Sequence, residues 1–189
     1  MMKPSIASLL AHPRTVSQFV DTIETQLIYG EKQTIELAYR LTGNLNRLRI
    51  PAPHPPRRAD RLWHHTCFEV FIKASAGTDY YEFNFSPSGE WAVYTFHGYR
   101  DGGPLDDEKL DPAISVGSED AYLKLSAVVD LDRLLAIRPI GKLLIGLSAV
   151  IEASDGTLSY WALKHPSDKP NFHHPDSFAL ELALAQERA

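Results

Sequence analysis

Acidic, amide and aromatic side chains are concentrated in two neighbouring segments in the middle of the chain. The first segment carries Glu69, and the second carries Glu82 and Asn84, while Trp63 lies just before the first. Sugar sites use flat aromatic rings that stack on an apolar ring face and planar carboxylate or amide groups that pair with adjacent hydroxyls. These residue types therefore indicate a site for a carbohydrate or another small polar ligand.

Histidines offer a second kind of chemistry. His65, His165 and His173 all flank strand-like segments. They could rim a ligand pocket or, if their loops meet, bind a divalent metal. Together with Glu69 or Glu82 they could also act as metal ligands or as general acid and base. A metal-dependent enzyme or a metalloprotein is therefore the alternative to a binding protein.

Several common active-site motifs are missing from the sequence. It contains no GxGxxG or GxxxxGK[ST] phosphate loop, no GxSxG serine-hydrolase elbow and no HExxH zinc helix. The acidic run within residues 106–111 lacks the spacing and central glycine of a calcium loop, so we interpret it as a solvated loop. We therefore expect no catalytic residues and no bound cofactor.

The composition limits the classes of partner that we expect this protein to bind and the cellular compartment in which we expect it. Lys and Arg total 19 against 24 Asp and Glu, and the resulting formal charge of −5 argues against a nucleic-acid partner. The single cysteine, Cys67, has no intramolecular disulfide partner, which favours a reducing compartment. The N-terminal residues 1–13 have no apolar stretch long enough for a secretory signal or a membrane span. We expect a cytoplasmic protein with no membrane partner, and the oligomeric state stays open.

The elements that must position the site are predicted to be short strands separated by turns. The predicted strands are a hairpin within residues 15–43, followed by residues 66–74, 80–86, 91–97, 121–129, 143–153, 157–163 and 177–184. One helical segment is expected at residues 131–137, with Asp130 as its cap. The pattern predicts an all-β fold, an antiparallel β-sandwich of jelly-roll or immunoglobulin-like type, with residues 1–189 as a single domain.

Strand periodicity assigns the polar residues to one face of the central hairpin. Glu69 shares a face with Phe71, and Glu82 shares a face with Asn84, because alternate residues of a strand point the same way. In the competing interpretation Glu82 and Asn84 face solvent and Trp63 is a hydrophobic plug. If the strands before His165 and after His65 run antiparallel, their flanking loops meet at one edge of the domain.

Three segments of the chain resemble a known family. They are LWHHTCFEVFIK (residues 62–73), YYEFNFSPSGEWAVY (residues 80–94) and YWALKHPSDKPNFHHPDSFALEL (residues 160–182). Together they resemble DOMON-like domains related to family 9 carbohydrate-binding modules. Trp63, the Glu69-Val70-Phe71 strand and Asn84 match the family pattern, as does Trp161, whereas Phe172 stands in place of a second stacking tryptophan.

The resemblance implies a β-sandwich that binds a sugar or haem. For a sugar, Trp63 and Phe172 would stack on the ligand and the polar strip would pair with its hydroxyls. The full expected ligand-binding set is Trp63, His65, Glu69, Glu82, Asn84, Trp161, His165, Phe172 and His173. A haem-binding domain is a second alternative, and its axial ligands would have to be histidines, because the only methionines are residues 1 and 2.

Overall fold

Alternating apolar and polar residues fold this chain into paired strands. The computed structural model describes residues 4–105, 110–119, 121–134 and 141–184. In chain order the strands are β1 (Ser5–Ser8), β2 (Leu10–Ala11), β3 (Val20–Tyr29), β4 (Thr34–Gly43), β5 (Arg57–Arg58), β6 (Cys67–Ala74), β7 (Tyr80–Phe85), β8 (Glu90–Gly98), β9 (Asp101–Pro104), β10 (Ala113–Glu119), β11 (Tyr122–Asp130), β12 (Lys142–Glu152), β13 (Leu158–Ala162) and β14 (Leu180–Ala183).

The strands form two sheets. The smaller sheet has the order β1-β3-β4-β11-β10, and the larger has the order β2-β13-β12-β6-β7-β8-β5, with β14 also paired to β12 and β9 also paired to β8. Neighbouring strands are antiparallel except for the short parallel pair of β5 and β8. The predicted all-β antiparallel sandwich is thus confirmed.

The core lies between the apolar faces of the two sheets. Ile23, Leu41 and Leu125 of the smaller sheet are buried in the same cluster as Phe68 and Phe83 of the larger sheet. Burying a side chain of this size contributes about 1.5–3 kcal/mol. The polar residues of β6 and β7 point to the opposite, outer face of the larger sheet, as their alternation predicts.

Short strands at the sheet edges were not predicted from the sequence. The segment of β9 is rich in Gly and Pro, which is typical of an exposed loop, yet it pairs with β8. A Cβ atom at Gly102 would lie 2.0 Å from the carbonyl oxygen of Thr95, so glycine is what allows this close pairing. Strands β1, β2, β5 and β10 were missed because they are short or have weak apolar alternation.

The expected helix is reduced to a single 3-10 turn at Leu131–Arg133 within the described residues. Its predicted cap is present, because the Asp130 side chain accepts a hydrogen bond from the Asp132 amide. Residues 135–137 of the expected helix and residues 106–109 of the acidic run lie outside the described ranges. In the part of the chain that is described, no helix is long and apolar enough to cross a membrane.

The direction of β13 corrects one topological expectation. Both β6 and β13 are antiparallel to β12, so they are parallel to each other. The chain therefore leaves the end of β13 in the direction in which β6 runs, away from the start of β6, where His65 lies. The two histidine loops do not meet at one edge.

The loop at residues 163–179 leaves the plane of the larger sheet. Strands β13 and β14 pair with the same edge of β12, and the loop connects them across its outer face. At Gly146 of β12 a Cβ atom would lie 3.2 Å from the Ser177 carbonyl oxygen and 3.3 Å from the Phe71 Cβ. The absence of a side chain at Gly146 lets the loop lie close to the sheet.

A buried tyrosine hydroxyl links the two sheets, and its removal should destabilise the protein. The Tyr39 hydroxyl of β4 donates a 2.7 Å hydrogen bond to the backbone carbonyl of Glu69. Tyr39→Phe leaves that bond unmade and should lower the free energy of unfolding by about 1 kcal/mol in urea denaturation. Tyr122→Phe is the matched control, because the Tyr122 hydroxyl donates its hydrogen bond to the Glu119 side chain at the solvent-exposed surface. Equal unfolding midpoints for wild type and Tyr39→Phe would contradict a structural role for this bond.

Candidate functional site

A cavity of about 560 Å³ lies on the outer face of the larger sheet. Its floor is formed by β6, β7 and β8, and the loop at residues 163–179 forms part of its wall. The aromatic residues that line it are Trp63, Phe71, Tyr94, Phe96, Tyr160 and Phe172, and the titratable ones besides the two tyrosines are Asp60, Arg61, Glu69, Glu82, Arg100 and His173. The volume is within the range of small-ligand sites.

Hydrogen bonds hold the carboxyl groups of the floor. Glu69 lies directly opposite Asn84 and Ser148 in the sheet, and the Ser148 hydroxyl donates a 2.9 Å bond to its Oε2. The Asn84 amide donates a 2.9 Å bond to Glu82 Oε1. All four side chains are buried. The competing interpretation, with Glu82 and Asn84 facing solvent, is therefore wrong.

Burial of these acids keeps protons on them. Loss of hydration, together with the nearby Glu82 carboxylate, raises the pKa of Glu69 well above its usual value. Burial also raises the pKa of Glu82 to about 7, although the bond from Asn84 and the positive charge of Arg100 oppose the shift. Both carboxyl groups of the floor therefore hold a proton to higher pH than exposed ones do, and Glu82 titrates near neutrality.

His173 lies over this floor. Its Nδ1 is 2.9 Å from the Tyr80 hydroxyl and its Nε2 is 3.6 Å from Glu82 Oε2. Burial, with a smaller contribution from Arg100, lowers the pKa of His173 to about 4. The Tyr80 hydroxyl accepts a bond from the Arg100 amide, so its own proton is available to Nδ1. We assign the neutral imidazole proton to Nε2, which faces Glu82.

Aromatic rings form the walls of the cavity. The Trp63 side chain is 36% exposed and packs edge-to-face against Tyr94, with ring centroids 5.3 Å apart. Phe172 packs against Tyr160 at 6.1 Å. Trp63 thus lies at the mouth of the cavity with part of its ring accessible to a ligand.

Two residues of the expected set, Trp161 and Asn84, do not line the cavity. Trp161 points into the core between the sheets, where its Nε1 donates a 3.0 Å bond to Ser159 Oγ. Its neighbour Tyr160 points outward and lines the cavity instead. Asn84 is 0% exposed and lies beneath the lining, where it supports Glu82.

Two of the expected histidines are also placed elsewhere. His65 Nδ1 is 2.7 Å from Glu152 Oε2, and this ring lines a second cavity of about 840 Å³. His165 Nε2 is 2.8 Å from the Leu10 carbonyl oxygen, and its ring contacts His12. His173 alone of the three enters the first cavity. Across the described ranges, no three His, Cys, Asp or Glu side chains converge as a metal site would require.

Sequence reasoning missed several residues of the cavity. Tyr94 is two residues from Phe96 on β8, so alternation could have placed it on the same face as Glu82, its cross-strand partner. Arg61 and Arg100 lie in turns, where no periodicity indicates the direction of a side chain. Their place at the cavity depends on tertiary contacts, which the sequence pattern does not reveal.

The titration of Glu82 leads to a prediction about stability. Between pH 4.5 and about 7 folded Glu82 keeps a proton that the unfolded chain has lost, so ionisation of this group lowers the free energy of unfolding as pH rises. Glu82→Gln cannot ionise. The variant-minus-wild-type difference in the free energy of unfolding should rise by up to about 3 kcal/mol across this interval, measured by urea denaturation.

His173→Gln provides a control with the opposite sign. Folded His173 stays neutral down to about pH 4, whereas an unfolded histidine takes up a proton near 6.5, so its contribution to stability is lost as pH falls through this interval. The difference between His173→Gln and wild type should therefore rise toward low pH. A difference for Glu82→Gln that does not change with pH would show that Glu82 titrates as an ordinary exposed carboxyl group.

Comparisons with known proteins agree on the fold. No protein-family model matches the sequence, and no curated protein matches it. A structure described as a "putative carbohydrate-binding protein" from Bacteroides uniformis ATCC 8492 superposes with a TM-score of 0.64 at 14% identity, covering 95% of this chain and 85% of that one. A family 9 carbohydrate-binding module from Caldicellulosiruptor kristjanssonii, solved in complex with glucose, superposes with a TM-score of 0.52 at 10% identity. The match covers 92% of this chain and 80% of that one. This chain therefore has the same sandwich fold as a family 9 module.

Proposed function

We propose that this protein binds a carbohydrate in the outer-face cavity without transforming it, as a DOMON-like relative of the family 9 modules. The observation that carries the proposal is the pairing of an accessible indole at the mouth of the cavity with a row of buried carboxyl groups on its floor. Such a site matches both surfaces of a sugar, because a pyranose has an apolar ring face and a polar edge.

Each part of the site has a distinct role in this proposal. Trp63 and Phe172 stack on the sugar from the wall of the cavity. The Glu82 carboxyl group accepts a hydrogen bond from a sugar hydroxyl when it is ionised and can donate one when it is protonated. Glu69, whose raised pKa favours the protonated form, forms a hydrogen bond with a second sugar hydroxyl. His173 donates from Nε2 beside Glu82. Asn84 and Ser148 act indirectly, because they hold the two carboxyl groups in place.

Two further observations support binding of a sugar. The structural neighbours are described as carbohydrate-binding, and one of them was solved with glucose, so glucose is the first probe to test. The carboxyl groups on the floor are already bonded to neighbouring side chains, which favours a preformed binding site. A cytoplasmic location is part of the proposal, and the buried free thiol of Cys67 is compatible with it.

Removal of the indole at the mouth of the cavity should weaken sugar binding without unfolding the protein. We expect Trp63→Ala to reduce glucose affinity by about tenfold or more in isothermal titration calorimetry, equivalent to about 1.4 kcal/mol of lost stacking. The cost in stability should stay below the ~3–5 kcal/mol of a buried aromatic truncation, because the ring is already 36% exposed.

Tyr122→Ala is the matched control for that experiment. Tyr122 is an aromatic residue on the smaller sheet and does not line the cavity. Its removal should leave glucose affinity unchanged. The proposal fails if wild type binds neither glucose nor short glucose oligomers, or if Trp63→Ala binds them as well as wild type does.

A further inference from the structure

Two arginines of the outer-face cavity share an unusual backbone conformation. Arg61 has φ of 63° and Arg100 has φ of 56°, in the left-handed region that non-glycine residues rarely adopt. Among the described residues the other non-glycine positions with positive φ are Lys32 and Gln33, in the tight turn between β3 and β4. Strain of this kind persists only where surrounding structure imposes it, and it is concentrated at functional sites.

The surrounding structure imposes this conformation in the same way at both positions. The Arg61 amide donates a 3.3 Å bond to the Tyr94 hydroxyl, and the Arg100 amide donates a 3.2 Å bond to the Tyr80 hydroxyl. These tyrosines project from neighbouring strands on the outer face of the larger sheet. Each strained turn is thus fixed to the sheet through a tyrosine, and each arginine lines the cavity.

Neither arginine has an ion-pair partner in the described part of the chain. Most other described arginines pair with a carboxylate, as Arg49 does with Glu152 and Arg57 does with Glu90. The Arg100 guanidinium donates to the neutral amide oxygen of Asn171 and lies near the Tyr99 ring. No hydrogen bond from the Arg61 guanidinium is formed within the described residues. Two guanidinium groups without carboxylate partners line one cavity of a chain whose formal charge is −5.

The carboxyl groups of the cavity do not cancel this positive charge at mildly acidic pH. Asp60 is already paired with Arg58 at 3.1 Å. Burial raises the pKa of Glu69 well above its usual value and that of Glu82 to about 7. Below neutral pH the floor of the cavity is therefore mostly uncharged, while both arginines remain cationic.

We propose that Arg61 and Arg100 bind an anionic group of the sugar, so that the ligand is an acidic saccharide carrying a carboxylate or a phosphate. This inference rests on the proposed function and specifies its substrate class. The planar guanidinium matches the oxygens of either anion with two parallel hydrogen bonds. The sugar ring then stacks against the aromatic wall, and its hydroxyls face the carboxyl groups of the floor.

The test is calorimetric titration at a pH of about 6 with glucose, glucuronate and glucose 6-phosphate. Wild type should bind at least one of the charged sugars about tenfold or more tightly than glucose, and the preference should weaken as NaCl is raised from about 50 to about 500 mM. Comparison of glucuronate with glucose 6-phosphate distinguishes a carboxylate from a phosphate ligand.

Glycine variants distinguish a loss of ligand binding from a loss of stability. Arg61→Gly and Arg100→Gly relieve the left-handed strain, so they should keep or raise the Tm while reducing the preference for the charged sugar to about twofold or less. Arg40→Gln, which removes a charge from the smaller sheet, is the control and should retain the full preference.

Two outcomes would overturn the inference. If wild type binds glucose as tightly as both charged sugars, the cavity takes a neutral sugar, and the proposed function stands without this assignment. If the charged sugars bind but the glycine variants keep the preference, the anionic group is bound elsewhere. If none of the three sugars binds, the proposed function is wrong, and this inference is wrong with it.

Discussion

Burial of two carboxyl groups on the outer face of the larger sheet is the constraint on which the candidate site depends. A buried carboxylate without partners is costly, so each group must either keep its proton or find hydrogen-bond donors. Glu69 keeps its proton and accepts from Ser148, while Glu82 accepts from Asn84 and faces His173. The strand register sets the first pair, because it places Ser148 directly opposite Glu69, and strand alternation sets the second, because it places Asn84 on the same face of β7 as Glu82.

Hydrogen bonds continue from this floor to the rim of the cavity. His173 bonds to Tyr80, which accepts from the Arg100 amide, and the Arg100 side chain in turn donates to Asn171. The Asn171 amide donates to the Tyr99 hydroxyl. The loop at residues 163–179 is therefore tied to the turn between β8 and β9.

The fold itself tolerates very different sequences. Structures at 14% and 10% identity share the sandwich, so its requirements are met by the apolar alternation of the strands rather than by particular residues. The cavity on the outer face has stricter requirements. It depends on glycines where the backbone approaches closely, at Gly102 and Gly146, and on two arginines in left-handed turns. Such local departures from ordinary strand and turn preferences are expected where a site is built on a common scaffold.

The sequence by itself determined the central strands, their faces and part of the site. Alternation placed Glu69 and Glu82 on one face of the central hairpin because side chains of a strand alternate strictly between its two sides. Tertiary structure decided which distant segments meet that face. The direction of β13 leads the following chain away from the start of β6, where His65 lies. The loop across Gly146 brings Phe172 and His173 to the cavity. Local periodicity carries no information about strand order or loop path, since these are fixed by pairing and packing between residues far apart in the chain.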